Sequence, residues 1–194
     1  MNVLESLSSE IEEFAKKNMT DDILHGWPHV RRVLKYASLI NEELKGDWII
    51  IKNSILLHDI GHKINRQNHN QISAEMAQDF LKSKNVEQEK INKISQSILT
   101  HSRQFSGSKP LSLEAKIVYD ADGMDLFGPI GLMRALLSCA LMNKEFDCMI
   151  KKLEWRMSEI KNFYSDVAKK FVTDNETIIK TYLNQLKIQL KLFE

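Results

Sequence analysis

Residues 48–61 read Trp48-Ile49-Ile50-Ile51-Lys52-Asn53-Ser54-Ile55-Leu56-Leu57-His58-Asp59-Ile60-Gly61. The run from Trp48 to Leu57 is nearly all apolar, and a helix apolar on most sides belongs in the middle of a core. Its β-branched residues would also suit a buried strand, but the hydrophobic period around it is helical almost throughout. The run closes on His58-Asp59. An imidazole and a carboxylate at the end of a buried segment are costly to desolvate without partners, and a divalent cation would compensate both. Gly61 directly afterwards suits a helix stop.

Working outward, apolar stripes predict helices around Leu4, Leu7, Ile11, Phe14 and Ala15, then over 28–44, 48–59, 71–82, 86–100, 112–122, 126–142 and 146–172. A last helix from about 175 carries Ile178, Tyr182, Leu186 and Leu190 in steps of four. Pro28 suits a first helical turn. Gly46-Asp47 marks a short turn, and 102–110, with Ser106-Gly107-Ser108 and Pro110, is the best loop. No linker rich in Pro, Gly or Ser interrupts the chain. The expected fold is all-α, a single domain over 1–194 of about eight or nine helices.

Composition agrees. Seven Gly and three Pro in 194 residues are too few for the turns of a sandwich or barrel. Twenty-seven basic against 26 acidic residues leave a net charge of +1, which argues against nucleic-acid binding driven by bulk charge. No stretch approaches the roughly 18 apolar residues of a membrane span, and the acidic start does not read as a signal peptide. Cys139 and Cys148 lie outside any Cys-x-x-Cys motif and read as small buried hydrophobes in a reducing, cytoplasmic setting.

Five of the six histidines, His25, His29, His58, His62 and His69, fall between 25 and 69; the sixth is His101. The helix over 28–44 is about 25 Å long and the next about 18 Å at 1.5 Å per residue. A turn of two or three residues makes them antiparallel. His29, at the start of one, then returns to His58 and Asp59 at the end of the other. Arg32 follows one turn after His29 on the same face, placed to neutralise an acid or hold a phosphate. Further on, Tyr119-Asp120-Ala121-Asp122-Gly123-Met124-Asp125 offers more acids. Asp120 and Asp122 are about 200° apart on a helix, so at most one of them joins the same site.

A lone His, then His-Asp, then a distant Asp resembles the HD-domain superfamily of metal-dependent phosphohydrolases, and within it the small stand-alone bacterial members. The matching stretches are His25-Gly26-Trp27-Pro28-His29-Val30-Arg31-Arg32-Val33, Leu56-Leu57-His58-Asp59-Ile60-Gly61 and Asp120-Ala121-Asp122-Gly123-Met124-Asp125. The resemblance covers about 22–140 and leaves packing helices over about 144–194. It implies metal ligands His29, His58, Asp59 and Asp122, with Gly123 standing where the family usually has Arg. A turn at Gly123 would fit a ligand at a helix end. Lys63 and Arg66 fall where some relatives bind phosphate. His69 and His101 match the extra histidines of two-metal relatives and would serve a second ion or face the substrate.

The implied function is a metal-dependent phosphatase or phosphodiesterase acting on a small phosphorylated metabolite or nucleotide. Its cofactor would be one or two divalent ions of Mn, Fe, Co, Ni or Zn, which the mixed N and O donors suit. The cyclic-di-GMP enzymes' Gly-Tyr-Pro motif is absent after His-Asp. Two rival functions are an HD-type di-iron oxygenase and a non-catalytic nucleotide-binding helical domain.

Overall fold

The computed structural model describes residues 3–105 and 107–193, so Met1, Asn2, Ser106 (in the expected loop) and Glu194 lie outside the described residues. The protein is all-α, and no strand occurs among the described residues. Among the described residues ten α-helices follow in chain order. They are α1 (Val3–Ser6), α2 (Ser8–Asn18), α3 (Trp27–Leu44), α4 (Trp48–Leu57), α5 (His69–Ser83), α6 (Gln88–Thr100), α7 (Leu113–Met124), α8 (Gly128–Ala140), α9 (Phe146–Glu159) and α10 (Asp166–Leu190). None is long and apolar enough to cross a membrane. Contacts divide the chain into two compact units, 1–122 and 123–194.

In the first unit α4 is the central element. It packs on α2, α3, α5 and α6, and buries Ile50, Ile51, Ile55, Leu56 and Leu57. Its two buried polar residues bond to the turn before: Ser54 Oγ donates to Ile50 O at 2.7 Å, and Asn53 Nδ2 to Ile49 O at 2.8 Å. These bonds offset the desolvation that an apolar helix imposes on polar groups. The turn into α4 is latched from both sides. Asn41 Oδ1 accepts from Gly46 N at 2.7 Å while its Nδ2 donates to Gly46 O at 3.2 Å. Asp47 then caps α4 by accepting from Ile49 N at 2.9 Å. Two bonded ends and a short turn hold α3 and α4 as an antiparallel pair, and α5 and α6 form a second.

The second unit corrects three readings. A single helix over 146–172 is broken: α9 ends at Glu159, a 3₁₀ turn covers Ile160–Asn162, and Ser165 starts α10 by accepting from Ala168 N at 3.2 Å. No break occurs at 172–175, where Asn175 Nδ2 donates to Phe171 O at 2.9 Å inside a continuous helix. The buried stripe of α10 is therefore Ala168, Val172, Ile179, Leu183 and Leu186, whereas Ile178 is exposed. Steps of four advance 400° and walk off a face, while steps of four and three alternate around it. Cys139 and Cys148 are not free: a disulfide joins the end of α8 to the start of α9.

The Ser165 cap is testable. Ser165→Ala should lower the unfolding free energy by about 1 kcal/mol, read as a lower denaturant midpoint at unchanged slope. Thr173→Ala, exposed inside α10, should be neutral or slightly stabilising because Ala is the better helix former. The reverse pattern would place the break at 172–175.

Candidate metal centre

Six side chains meet at the ends of helices in the first unit. His29 lies in the first turn of α3, His58 and Asp59 just past α4, His69 at the start of α5, His101 just past α6, and Asp122 in the last turns of α7. The antiparallel pairs explain this, since the start of one partner and the end of the other share one end of the bundle. His29, His58, Asp59, His69 and His101 are all at most 5% exposed.

Asp59 is at the middle. Its Oδ2 lies 3.4 Å from His58 Nε2 and 3.9 Å from His29 Nε2. Its Oδ1 lies 3.5 Å from both His69 Nε2 and His101 Nε2. On the first side, His29 Nε2 is 3.3 Å from His58 Nε2 and 3.2 Å from Asp122 Oδ1. On the second, His69 Nε2 and His101 Nε2 are 3.2 Å apart.

These donors fit a metal ion. Two atoms each about 2.1 Å from one ion, at octahedral or tetrahedral angles, stand about 3.0–3.4 Å apart. The imidazoles are also turned the right way. His58 Nδ1 donates to Ile55 O at 2.7 Å, His69 Nδ1 to Arg66 O at 2.8 Å, and His101 Nδ1 to Ile98 O at 2.6 Å. A carbonyl only accepts, so each Nδ1 carries hydrogen and each Nε2 can present a lone pair inward. The groups His29, His58, Asp122 and His58, Asp59, His101 could each hold an ion.

Without an ion the cluster is strongly polarised. Burial would lower the His58 pKa, but the Asp59 and Asp122 carboxylates outweigh it and raise it to about 9. Burial would raise Asp59 and Asp122, yet the imidazoles hold both below the usual carboxylate range. Burial, reinforced by the neighbouring His101, lowers His69 to about 4. A cation would take the place of the proton on His58.

Gly61 allows the close approach of the two helix pairs. Its N–H donates to Ser73 Oγ at 2.8 Å, and a Cβ there would stand 2.7 Å from His69 O and Ser73 N. The expected stop signal is thus a packing contact: positive φ occurs only at other positions among the described residues. Gly123 likewise makes no turn, since α7 continues through it to Met124.

The expected ligands His29, His58, Asp59 and Asp122 come together, and His69 and His101 join them through Asp59. Asp120 does not. It is fully buried, with its Oδ1 3.9 Å from the Arg103 guanidinium. Of the phosphate-binding candidates, Arg32 and Arg66 are half-buried and Lys63 is exposed on the turn after α4. The Arg66 carbonyl has a part of its own, in orienting His69.

Sequence reading assigned no role to His25 and His62. Their rings stack at 3.9 Å, and His62 lies 5.2 Å from the His69 ring. The one signal was local: Asp22, three residues before His25, accepts from the His25 backbone N–H at 2.8 Å and sets that turn. Beside His69, a cavity of about 470 Å³ is lined by Asn68, Asn70, Gln71 and Phe105 among others. The Phe105 ring stands edge-on to His69 at 5.7 Å.

A family model described as the HD domain matches residues 26–126. Bacillus subtilis YpgQ, an uncharacterised protein, is 30% identical over 134 residues, 67% of this chain and 65% of its own length, slightly under two thirds. Its crystal structure in complex with ADP superposes with a TM-score of 0.74 at 20% identity, covering 94% of this chain and 97% of that one. A Lactobacillus plantarum structure gives a TM-score of 0.82 at 21% identity, covering 97% and 98%. A Bacillus thuringiensis structure, an HD-superfamily hydrolase by name, gives 0.72 at 21%, covering 97% and 98%.

Adding a methyl group at the contact between the helix pairs should be felt directly. Gly61→Ala must push α5 from the end of α4, and overpacking of this kind costs roughly 1–3 kcal/mol. Thermal melting should fall by roughly 2–10 °C, with far-UV circular dichroism kept. An unchanged melting temperature would show that the contact is loose.

Proposed function

The chain belongs to the HD-domain family, and from that premise we propose that it is a metal-dependent phosphohydrolase, a phosphatase or phosphodiesterase, acting on a small phosphorylated metabolite or nucleotide. The observation that carries the reading is Asp59, whose two oxygens face two separate histidine sets. In this reading His29, His58, Asp122 and Asp59 would hold one ion, and His69 and His101, with Asp59, would hold a second. The donor set suits Mn, Fe, Co, Ni or Zn. Bound ions would screen the phosphoryl charge and lower the pKa of water from 15.7 towards about 7.

The protein's own groups do the rest. Buried Nδ1–carbonyl bonds keep the imidazoles aimed without reorganisation. Two carboxylates against two dications would leave the centre net positive, which would attract a phosphate anion. Arg32, Lys63 and Arg66 supply further positive charge for it. The cavity beside His69 has amide and aromatic lining, which suits the neutral organic part of the substrate better than its phosphate. The ADP complex of YpgQ supports a nucleotide in that role.

Hydrolysis of phosphate monoesters, diesters and nucleotides, assayed after chelation and add-back of each metal, tests the reading. Chelation should abolish turnover and one or more metals restore it; activity that survives exhaustive chelation would overturn the mechanism. The Asp59 bridge would also serve two irons in an oxygenase. Oxygen consumption by the iron-loaded protein, with no phosphate released from any substrate, would favour that alternative.

Metal content separates the ligands. Asp59→Ala should lose all bound metal, and His69→Ala or His101→Ala should lose one ion of two. Asp122→Ala should empty its side of the site, whereas Asp120→Asn should weaken binding about 10–100-fold at most. If Asp120→Asn empties the site while Asp122→Ala leaves it full, the assignment of the acidic motif is wrong.

A further inference from the structure

His101 stands just past the end of α6, where helical bonding no longer fixes the backbone: its N–H reaches Ile98 O only at 3.5 Å. That long bond leaves the ring's aim to its Nδ1 contact with Ile98 O and to whatever holds the chain beyond it. Two residues on, Arg103 is buried to the guanidinium, its side chain 1% exposed. The guanidinium lies 3.9 Å over the Tyr119 ring, and its NH2 donates to Tyr119 O at 3.2 Å. The same nitrogen is 3.9 Å from Asp120 Oδ1, a carboxylate with no exposure.

Burying a charged pair is costly, and replacing one with apolar groups is often neutral or stabilising. A loop that needed only packing would be served by an apolar residue. What the guanidinium adds is direction: a planar stack, a directed N–H bond and a charge contact fix a segment in several dimensions at once. All three anchors sit on α7, within three residues of Asp122. The helix that brings Asp122 Oδ1 to 3.2 Å from His29 therefore also anchors the segment that carries His101.

The geometry points to Arg103 as a positioning residue: with Tyr119 and Asp120 as its anchor, it fixes the aim of the His101 ring at Asp59. This deepens the metal-site reading and rests on it only for ion affinity; the aim of the ring is independent of any ion. Lys in its place keeps a charge but has neither the planar face nor the fork.

The test combines ¹⁵N-histidine ring NMR of the metal-free protein with manganese titration, for the parent, Arg103→Lys, Arg103→Ala and Tyr119→Leu. In the parent, His101 Nδ1 should carry hydrogen in its bond to Ile98 O and the ring should give one fixed set of nitrogen signals. In Arg103→Lys and Arg103→Ala its ring nitrogens should shift towards tautomer averaging, while the His58 signals stay in place. Affinity for the ion served by His69 and His101 should fall about 10–100-fold, the range for a residue that orients a ligand, and the other ion should be held as before. Tyr119→Leu removes the stack but leaves the charges, and should give a smaller change of the same kind if Arg103→Ala does not fold. Unchanged His101 signals in folded variants, with only a lower melting temperature, would overturn the proposal. Should the parent bind no ion, the metal reading falls, and the His101 signals still decide the role of Arg103.

Discussion

A carboxylate buried among four imidazoles organises the first unit. Asp59 is 5% exposed, and each of its oxygens is within 3.5 Å of at least one ring nitrogen. Such a group is stable in a core only if several partners reach it at once. The partners come from α3, α4, α5 and α6, so the ends of these four helices must converge. The other local features follow from that demand. Gly61 lets α4 and α5 touch, Ser73 accepts its N–H, and carbonyls of Ile55, Arg66 and Ile98 turn three rings inward.

This arrangement separates stability from chemistry along each helix. The apolar stripes of α3, α4 and α6 bury Val33, Ile40, Ile51, Ile55, Ile94 and Ile98, while polar groups gather at the helix ends. Side chains at an end have fewer neighbours competing for space, and the helix behind them gives a rigid base for a site. The carbonyls that orient His58 and His101 belong to the last turn of their own helices, where the regular ladder of bonds runs out and a carbonyl keeps a lone pair to offer. A helix terminus thus uses its own carbonyls to aim an imidazole.

Much of this was legible in the sequence because it depends on period and turn length. The apolar run of α4 marked the centre, and the short turn at Gly46-Asp47 implied that His29 returns to His58 and Asp59. Choosing Asp122 over Asp120 needed the family pattern, because a helical angle only says that the two acids diverge. Features set by long-range contact left no such trace. Nothing near Arg103 announces that its guanidinium lies on Tyr119, sixteen residues away. The break before α10 was hidden because one N-cap serine looks like any other, and the steps of four after Asn175 mimicked a fresh helix. The disulfide between Cys139 and Cys148 depends on how α8 and α9 meet, which their spacing alone does not reveal.

In the function proposed above, Asp59 would bridge two ions. Anomalous X-ray diffraction from crystals grown with manganese, collected at the manganese edge, tests it most directly. Two anomalous peaks about 3.5–4 Å apart are expected. One would be bonded to Oδ2 of Asp59 with His29, His58 and Asp122, the other to Oδ1 with His69 and His101. No peak at Asp59, or manganese bound only elsewhere on the protein, would contradict it.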